Sequence, residues 1–396
     1  MTTSPTETAP FGLYIHIPWC IKKCPYCDFN SHQAKTQVEA GQISWQAYLD
    51  CLRADLQTEL MLWRQAGKGV LTTVFIGGGT PSLAPGWLYQ QLFDFLRANW
   101  PCSQTIEVTM EANPGAIDAQ YFEAYRRAGI NRLSIGVQSF NSQHLHALGR
   151  IHTAAMAHNA VATARRAGFD RLNLDLMFGL PQQTIKQGLN DVRQAIELAV
   201  DHISWYQLTI EPNTVFYRQQ PLLDQDQAQE LWAEGLVQLE QHGYRQYEVS
   251  AYAQAEQQCR HNKGYWQFAD YGAIGAGAHG KMTIDGQIHR YHKTRMPAHY
   301  LQRLTQVPID FVGQRHVLTQ AQRVSEYFLN RLRLFTPITK AEYEHHTNER
   351  FADLQLAKLA EQGLLTYTSE HFELTTLGQA FMDDVSVTLC VTAEHL

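Results

Sequence analysis

The sequence predicts an α/β protein with an open barrel or doubly wound parallel sheet, followed by a smaller, mostly helical domain. Short apolar strands alternate with helical patterns from residue 12 to about 250, which is typical of a parallel sheet covered by helices. Polar or glycine residues follow each predicted strand, as happens where a βα barrel builds a site at one mouth. Beyond residue 311, helical patterns surround one short hairpin and predict a winged-helix-like domain.

Six strands are predicted, because each segment is short and apolar and ends at a turn signal. They are Leu13–Ile17, Thr73–Ile76, Ile106–Glu111, Arg132–Val137, Arg171–Met177 and Ile203–Ile210. Ser44 is a typical helix N-cap, and apolar residues follow it at helical spacing as far as Trp63. The other helices predicted in this half are Trp87–Arg97, Ala119–Ala128, Ala154–Ala167, Ile185–Ala199 and Ala228–His242.

The chain divides into four predicted parts. Residues 1–10 form a disordered tail, 11–254 the barrel, 255–310 an aromatic and glycine-rich connecting segment, and 311–396 the C-terminal domain. Within the connecting segment, 281–310 is expected to be irregular and linker-like. The elements predicted for the C-terminal domain are helices at Ala321–Leu334, Thr339–His346, Phe351–Gln362 and Leu377–Asp384, and a hairpin of Leu364–Tyr367 with His371–Leu374.

Composition narrows the class of protein. The 396 residues suffice for two or three domains, and a net charge of −6 provides no basic field for nucleic acid. The sequence contains no run of 18 apolar residues, so it predicts no integral membrane segment. Transient contact with a membrane surface stays open. The first ten residues lack the pattern of a signal peptide. Seven cysteines, three of them clustered, indicate metal binding in the reducing cytoplasm.

The three clustered cysteines, Cys20, Cys24 and Cys27, have the spacing Cys-x3-Cys-x2-Cys. A [4Fe–4S] cluster is usually held by four thiolates, so three would leave one iron open to a substrate or cofactor. The alternatives are a zinc site or a redox pair. Zinc commonly takes four ligands from two Cys-x2-Cys pairs, and the sequence contains no second pair. The spacing therefore favours an iron–sulfur cluster with an open iron.

The remaining cysteines have a simpler interpretation. Cys51, Cys102 and Cys390 are isolated, and we expect them to be buried structural thiols. Cys259 precedes His261 by two residues, so that the two could form a ligand pair, but a structural thiol is the favoured interpretation.

Several residues at the predicted barrel mouth carry chemistry. Gly77–Gly79 permits either close approach of a ligand or a tight turn. Glu111 and Asp175 lie at strand ends, where they either face solvent or bind ribose hydroxyls or a ligand amine. Gln138 offers a donor and acceptors. Arg150 is either an exposed helix-end residue or the partner of a ligand carboxylate.

The cysteine triplet after the first strand and Gly-Gly-Gly-Thr-Pro after the second resemble the radical S-adenosylmethionine (SAM) superfamily. This resemblance implies that the open iron chelates the methionine amine and carboxylate of SAM. It also implies that one electron from the cluster, which an electron donor not identified by the sequence must reduce, cleaves the sulfonium and generates a 5′-deoxyadenosyl radical. Such chemistry belongs to the cofactor, while the protein orients and shields it.

Five further motifs narrow the resemblance to the oxygen-independent coproporphyrinogen III oxidase family, from about residue 11 to 380. They are Tyr14–Pro18, Glu111–Pro114, Gly136–Phe140, Leu148–Arg150 and Asp175–Pro181. The resemblance implies a set of contacts to SAM, of which members of the family can hold two molecules. These contacts are Tyr14, Gly78, Gly79, Thr80, Glu111, Gln138, Arg150 and Asp175.

Two departures point to one branch of that family. The oxidases carry a further cysteine two residues after the third, where this sequence has Phe29. They also have a longer N-terminal extension, whereas 19 residues precede Cys20 here. Both features are similar to the sister branch of heme chaperones, which bind heme and transfer it to acceptor proteins, including respiratory enzymes.

A third feature, His261-Asn262-x-x-Tyr265-Trp266, resembles a motif of the same branch. A histidine can ligate heme iron, and Tyr and Trp rings offer flat apolar faces to a macrocycle. We therefore expect His261, Tyr265 and Trp266 to contact heme. The alternative is a hydrogen-bonded histidine in an aromatic core, with Tyr265 either an oxygen ligand or a packing residue.

Two other patterns are interpreted as structural. Gly275–Gly280 has the spacing G-x-G-x-x-G, but a dinucleotide site needs a strand before it, a helix after it and an acidic residue about 20 positions on, where Tyr300 stands. We predict a turn. Residues 351–384 contain few basic side chains, so the winged-helix-like domain is expected to pack or dock rather than to bind DNA.

The sequence therefore favours a heme chaperone that carries a [4Fe–4S] cluster and SAM. The first alternative is an oxidase that decarboxylates coproporphyrinogen III to protoporphyrinogen IX, and the second is an electron carrier or structural iron–sulfur protein. Whether the radical reaction is used, which protein accepts heme and which donates electrons are left open by the sequence.

Overall fold

The computed structural model describes residues 10–34, 43–115, 121–221 and 224–391. The predicted tail at 1–10 lies outside this range except for its last residue. A single sheet of twelve strands organises the chain, and a two-stranded and a three-stranded sheet accompany it. The first ten strands along the chain are β1 (Gly12–Ile17), β2 (Trp19–Cys20), β3 (His32–Gln33), β4 (Leu71–Gly78), β5 (Cys102–Ala112), β6 (Arg132–Gln138), β7 (Arg171–Phe178), β8 (His202–Gln207), β9 (Arg245–Glu248) and β10 (Ala251–Ala253).

The six predicted strands correspond to β1 and β4–β8, which pair in parallel in that order. Four more strands complete the sheet beyond β1. They are β11 (Tyr271–Ile274), β12 (His279–Ile284), β13 (Gln287–Lys293) and β14 (Val312–Val317). The sheet runs from β14 to β9 and is open between these two edges, which confirms the predicted α/β class and the open barrel.

Helices follow the strands as the alternating pattern predicts. They are α1 (Trp45–Gln65), α2 (Gly86–Asn99), α3 (Phe122–Ala128), α4 (Ser142–Ala147), α5 (Ala154–Arg166), α6 (Ile185–Glu197), α7 (Val215–Gln219), α8 (Gln225–Gln241), α9 (Arg260–Trp266) and α10 (Pro297–Gln302). Ser44 caps α1, since its Oγ accepts a hydrogen bond from the N–H of Ala47 (3.2 Å). The predicted start of α3 at Ala119 lies outside the described residues.

The expectation of irregular structure over 281–310 is wrong. This segment contains most of β12, all of β13 and α10, and β11 before it pairs in parallel with β1. Buried charged residues interrupt the apolar pattern of these strands. The ammonium of Lys293 lies 2.6 Å from Asp55 and 2.7 Å from Glu59 of α1, and that of Lys281 lies 3.2 Å from Asp270. A buried lysine is tolerated when it is paired, but hydrophobic periodicity cannot anticipate it.

The C-terminal part has its own core. Its elements are β15 (Ile338–Thr339), β16 (Leu365–Tyr367), β17 (His371–Leu374), α11 (Gln320–Arg331), α12 (Lys340–Thr347), α13 (Leu356–Glu361), α14 (Thr376–Ala380) and α15 (Met382–Val391). The hairpin of β16 and β17 confirms the prediction. The helix expected over Phe351–Gln362 is instead a 3-10 turn followed by α13. Phe268 and Ile288, both from the segment 255–310, join this core.

Candidate functional site

The cysteine triplet lies in the loop that follows β1. Cys20 ends β2, which pairs in parallel with β3, and the N–H of Cys27 donates to the carbonyl of Cys24 (3.1 Å). The ammonium of Lys23 closes the loop by donating to the carbonyls of Phe29 (3.1 Å) and Ser31 (3.3 Å). The three cysteines line one cavity of about 420 Å3, called the cluster cavity below.

The three thiols that line this cavity form a donor set that fits an iron–sulfur cluster. Within the described ranges, no three His, Cys, Asp or Glu side chains converge on a position for one ion. In a [4Fe–4S] cluster each cysteine binds a different iron, so the thiols need not converge on one point. Burial raises the pKa of Cys20 to about 11 and raises that of Cys27, so a cluster would bind thiols that are otherwise protonated.

The other four cysteines lie elsewhere. Cys51 is buried in α1 as predicted, but Cys102 and Cys390 are half-buried rather than buried. The thiol of Cys259 is also buried and lies 3.7 Å from the carboxylate of Glu107. This contact is consistent with the favoured interpretation of Cys259 as a structural thiol.

The glycines after β4 allow this strand end to meet the cysteine loop. Gly78 has a φ of +118°, and a Cβ on Gly79 would lie 2.5 Å from the carbonyl oxygen of Trp19. Side chains larger than hydrogen would therefore push the cysteine loop away. Thr80 follows and is buried, with its Oγ1 accepting a hydrogen bond from the amide of Asn113 (3.1 Å).

Two carboxyl groups face the cluster cavity, Glu111 from β5 and Asp175 from β7, the two strands that flank β6. The N–H of Gly78 donates to Oε2 of Glu111 (3.2 Å), and Asp175 accepts from Ser134 Oγ (3.0 Å) and Asn173 Nδ2 (2.7 Å). Burial, followed by the charge of Asp175, raises the pKa of Glu111 to about 8. Burial also raises the pKa of Asp175. Such groups favour a ligand that brings a positive charge or hydroxyl donors.

Arg150 and Gln138 are two further polar residues that line the cluster cavity. The Arg150 guanidinium donates to Asn113 Oδ1 (2.6 Å) and the carbonyl of Gly136 (2.7 Å), and Nη1 lies 3.7 Å from the sulfur of Cys24. Gln138 has a φ of +68°, and its Oε1 accepts a hydrogen bond from the Tyr206 hydroxyl (2.8 Å). Arg150 is therefore turned inward toward the cysteines, and the alternative of an exposed helix-end residue is wrong.

A second cavity of about 370 Å3 adjoins the first. The two share four lining residues: Asp28, Phe29, Gly78 and Glu111. Of the predicted heme contacts, His261 and Tyr265 line the second cavity. Tyr14, a predicted SAM contact, also lines the second cavity rather than the first, and its hydroxyl lies 3.0 Å from Nδ1 of His16.

His261 forms part of the inner end of the second cavity. Its Nδ1 lies 2.9 Å from the Thr73 hydroxyl, and its ring stacks on Phe75 with centroids 5.3 Å apart. Burial lowers its pKa to about 4, which keeps the imidazole neutral. Trp266 does not line this cavity. The Arg333 guanidinium carbon lies 4.5 Å from the centroid of its ring, and the ring packs against a small group of apolar side chains that includes Tyr247.

Sequence reasoning missed several residues that line the cavities. Asn113, Ser134 and Tyr206 line the first, and His279 and Arg295 line the second. Asn113 belongs to the motif Glu111–Pro114 and could have been chosen on that basis. The other four gave no local signal, because only the sheet order brings them to the site.

Comparisons with known proteins agree with this geometry. Residues 14–197 match the radical SAM superfamily, and residues 318–381 match the HemN C-terminal domain. The chain is 43% identical to the heme chaperone HemW of Haemophilus influenzae over 381 residues, which cover 95% of this chain and 97% of that protein. The chain belongs to the HemW family. It is also 44% identical to HemW of Escherichia coli over 380 residues, with the same coverage of both chains.

Family membership confirms the resemblance to the heme-chaperone branch. A more distant member, HemW of Bacillus subtilis, is 33% identical over 381 residues that cover 94% of this chain and 97% of that protein. The coproporphyrinogen III oxidase HemN of Escherichia coli, described as a radical SAM enzyme, shares the fold with a TM-score of 0.79. At 23% identity, covering 98% of this chain and 91% of that chain, this likeness concerns the fold alone. In the described part of this chain, no helix is both long and apolar enough to span a bilayer.

Proposed function

We propose that this protein is a heme chaperone that binds heme and delivers it to acceptor proteins such as respiratory enzymes. Its membership of the HemW family and the near full-length match to relatives named heme chaperones support this proposal. The clustered cysteines of the loop after β1 support a cytoplasmic location, because thiols stay reduced there.

In this proposal Cys20, Cys24 and Cys27 hold a [4Fe–4S] cluster, and SAM binds beside it in the cluster cavity. A bound cluster would offer an iron site for the methionine end of SAM and, once reduced by an electron donor, would supply the electron for reductive cleavage of SAM. Glu111 and Asp175 suit the amine or ribose of SAM, and Arg150 suits its carboxylate. Gly78, Gly79, Thr80 and Gln138 line the same cavity. Tyr14 would meet the ligand from the neighbouring cavity.

In this proposal heme binds in the second cavity. The observation that supports this assignment is the position of the second cavity beside the cluster cavity. The cavity adjoins the cluster cavity, and its wall includes His261, Tyr265 and the exposed ring of Phe29. Aromatic rings offer flat apolar surface to a macrocycle. Trp266 remains a predicted heme contact on sequence grounds, although it packs outside the lining of this cavity.

One sample tests the proposal against its alternatives. Cluster-loaded protein, purified anaerobically, is titrated with heme, and the complex is then mixed with a heme-free acceptor protein. We expect a stoichiometric Soret band that moves to the acceptor. In parallel, coproporphyrinogen III is added with SAM and a chemical reductant, and we expect no protoporphyrinogen IX.

Two results would overturn the proposal. Formation of protoporphyrinogen IX without heme binding would make the protein an oxidase. An electron paramagnetic resonance (EPR) signal of the reduced cluster that SAM leaves unchanged, together with no heme binding, would favour an electron carrier.

A further inference from the structure

The outer rim of the second cavity carries a histidine that the sequence motifs do not single out. His279 is exposed at the start of β12, and glycines fix its position. Gly275 has a φ of +100°, and a Cβ there would lie 2.3 Å from the carbonyl oxygen of His16. Gly277 has a φ of +82°, and a Cβ there would lie 2.0 Å from Nδ2 of Asn30. The glycine-rich segment therefore forms the predicted turn and presses the start of β12 against the cysteine loop.

The histidines in and beside this cavity differ in what their ring nitrogens already bind. In the described residues, no partner is within hydrogen-bonding distance of either ring nitrogen of His279. His292, opposite it on β13, has Nδ1 3.1 Å from the Lys293 carbonyl and Nε2 3.2 Å from Gln314 Oε1. His261 is buried, and its Nδ1 is engaged by Thr73. His16 also lines the cavity, but it is buried, and its Nδ1 and Nε2 lie 3.0 Å from the Tyr14 hydroxyl and 2.9 Å from the Asn30 carbonyl oxygen. Among the histidines that line this cavity in the described part of the chain, only His279 is exposed.

The protonation state of His279 suits iron binding. Partial desolvation by the surrounding protein, with added effects of His292, Arg290 and Arg295, lowers the pKa of His279 below the ordinary histidine value although its side chain is exposed. A neutral imidazole has a free lone pair, which is the form that ligates metals.

The same rim offers contacts for the rest of a heme. Arg295 is exposed and lines the cavity, and across the described ranges its guanidinium forms no ion pair. A guanidinium is the side chain best suited to a carboxylate, such as a heme propionate. Phe29 is 59% exposed and lines both cavities, so its ring offers an apolar face that no neighbouring side chain covers fully.

We propose that heme binds at this rim with the imidazole of His279 as an axial iron ligand and Arg295 paired with a propionate. This inference rests on the proposed heme-binding function and names the ligand set within it. His261 and Tyr265 then form the inner wall, while His279 holds the iron.

The test compares two histidines on neighbouring strands. Cluster-loaded wild type, His279→Ala and His292→Ala are titrated with hemin, and axial ligation is read from the Soret position and the EPR spectrum of the ferric complex. We expect His279→Ala to bind hemin more than about tenfold more weakly and to lose the imidazole signature, since changes that merely reorient a metal ligand already cost roughly tenfold. His292→Ala should keep the wild-type spectrum and affinity.

A second pair of measurements tests the propionate contact independently. Arg295→Gln should bind hemin several-fold more weakly than wild type, and the two should bind hemin dimethyl ester equally. If His279→Ala fails to fold or to hold the cluster, this comparison decides the inference alone. Equal hemin binding by wild type and Arg295→Gln would then overturn it.

The inference and the proposed function fail differently. A wild-type protein that does not bind hemin defeats the proposed function. A wild type that binds hemin, with His279→Ala unchanged in affinity and spectrum, defeats only the assignment of the iron ligand.

Discussion

The two adjoining cavities differ in how their polar groups are engaged. In the cluster cavity, Arg150, Gln138 and Asp175 are already held by neighbouring side chains and carbonyls. At the rim of the second cavity, His279 and Arg295 have no comparable partners among the described residues. Groups held before binding give a ligand one fixed geometry, whereas free groups leave it easier to release. The first arrangement suits a resident cofactor and the second a cargo that must leave again.

The cavities also differ in charge. The first contains two carboxyl groups, Glu111 and Asp175, and suits the positive sulfonium and amine of SAM. The second has the guanidinium of Arg295 on its rim and suits an anionic ligand such as the propionates of heme. Glu111 lines both cavities and therefore stands at their boundary.

The largest effect should come from removing one cluster ligand. Cys24→Ser takes away a thiol that faces the cluster cavity beside Arg150. We expect reconstituted iron and the EPR signal of the reduced cluster to fall to background, because the other two thiols are too few to hold it. Hemin affinity should stay within about threefold of wild type, since neither His279 nor Arg295 lines the cluster cavity.

Cys102→Ser is the matched control, because this half-buried thiol lies outside both cavities. It should retain the full iron content. A folded Cys24→Ser protein that no longer binds hemin would show that the two cavities are one site.

A smaller effect, on SAM affinity, should follow from a change at Arg150, which lines the cluster cavity. Arg150→Lys keeps the charge but loses the planar fork that contacts Asn113 and Gly136. Hydrogen bonds to charged groups contribute about 1.5–3 kcal/mol, so we expect SAM affinity to fall roughly 10- to 100-fold. The measurement is the concentration of SAM that changes the EPR signal of the reduced cluster. The exposed Arg166→Lys variant is the control, and equal SAM affinity in both variants would mean that Arg150 does not contact SAM.

The barrel and the cysteine site could be predicted from the sequence because their signals are local. Strands β1 and β4–β8 are apolar runs bounded by turns, and the cysteines are close together in one loop. The strands β12 and β13 could not be predicted, since Lys281 and Lys293 interrupt their apolar pattern. Both lysines are buried only because carboxylates outside these strands pair with them. The second cavity could not be predicted either, because part of its rim is formed by the segment that contains these strands.

The smallest effect concerns the charge of Glu111, whose pKa burial and Asp175 raise to about 8. The folded protein then keeps a proton at pH values between about 4.5 and 8 that the unfolded chain has released, so its free energy of unfolding falls as pH rises through this window. Glu111→Gln should remove this contribution, which for one group is at most about 1.4 kcal/mol per pH unit. Denaturant unfolding of cluster-loaded protein without SAM at several pH values from 5 to 8 measures it, with the exposed Glu197→Gln as control. Parallel pH profiles for wild type and Glu111→Gln would mean that Glu111 is ionised throughout. The boundary between the two cavities would then carry a full negative charge, which would repel propionates from the cluster cavity and strengthen the separation of cofactor from cargo.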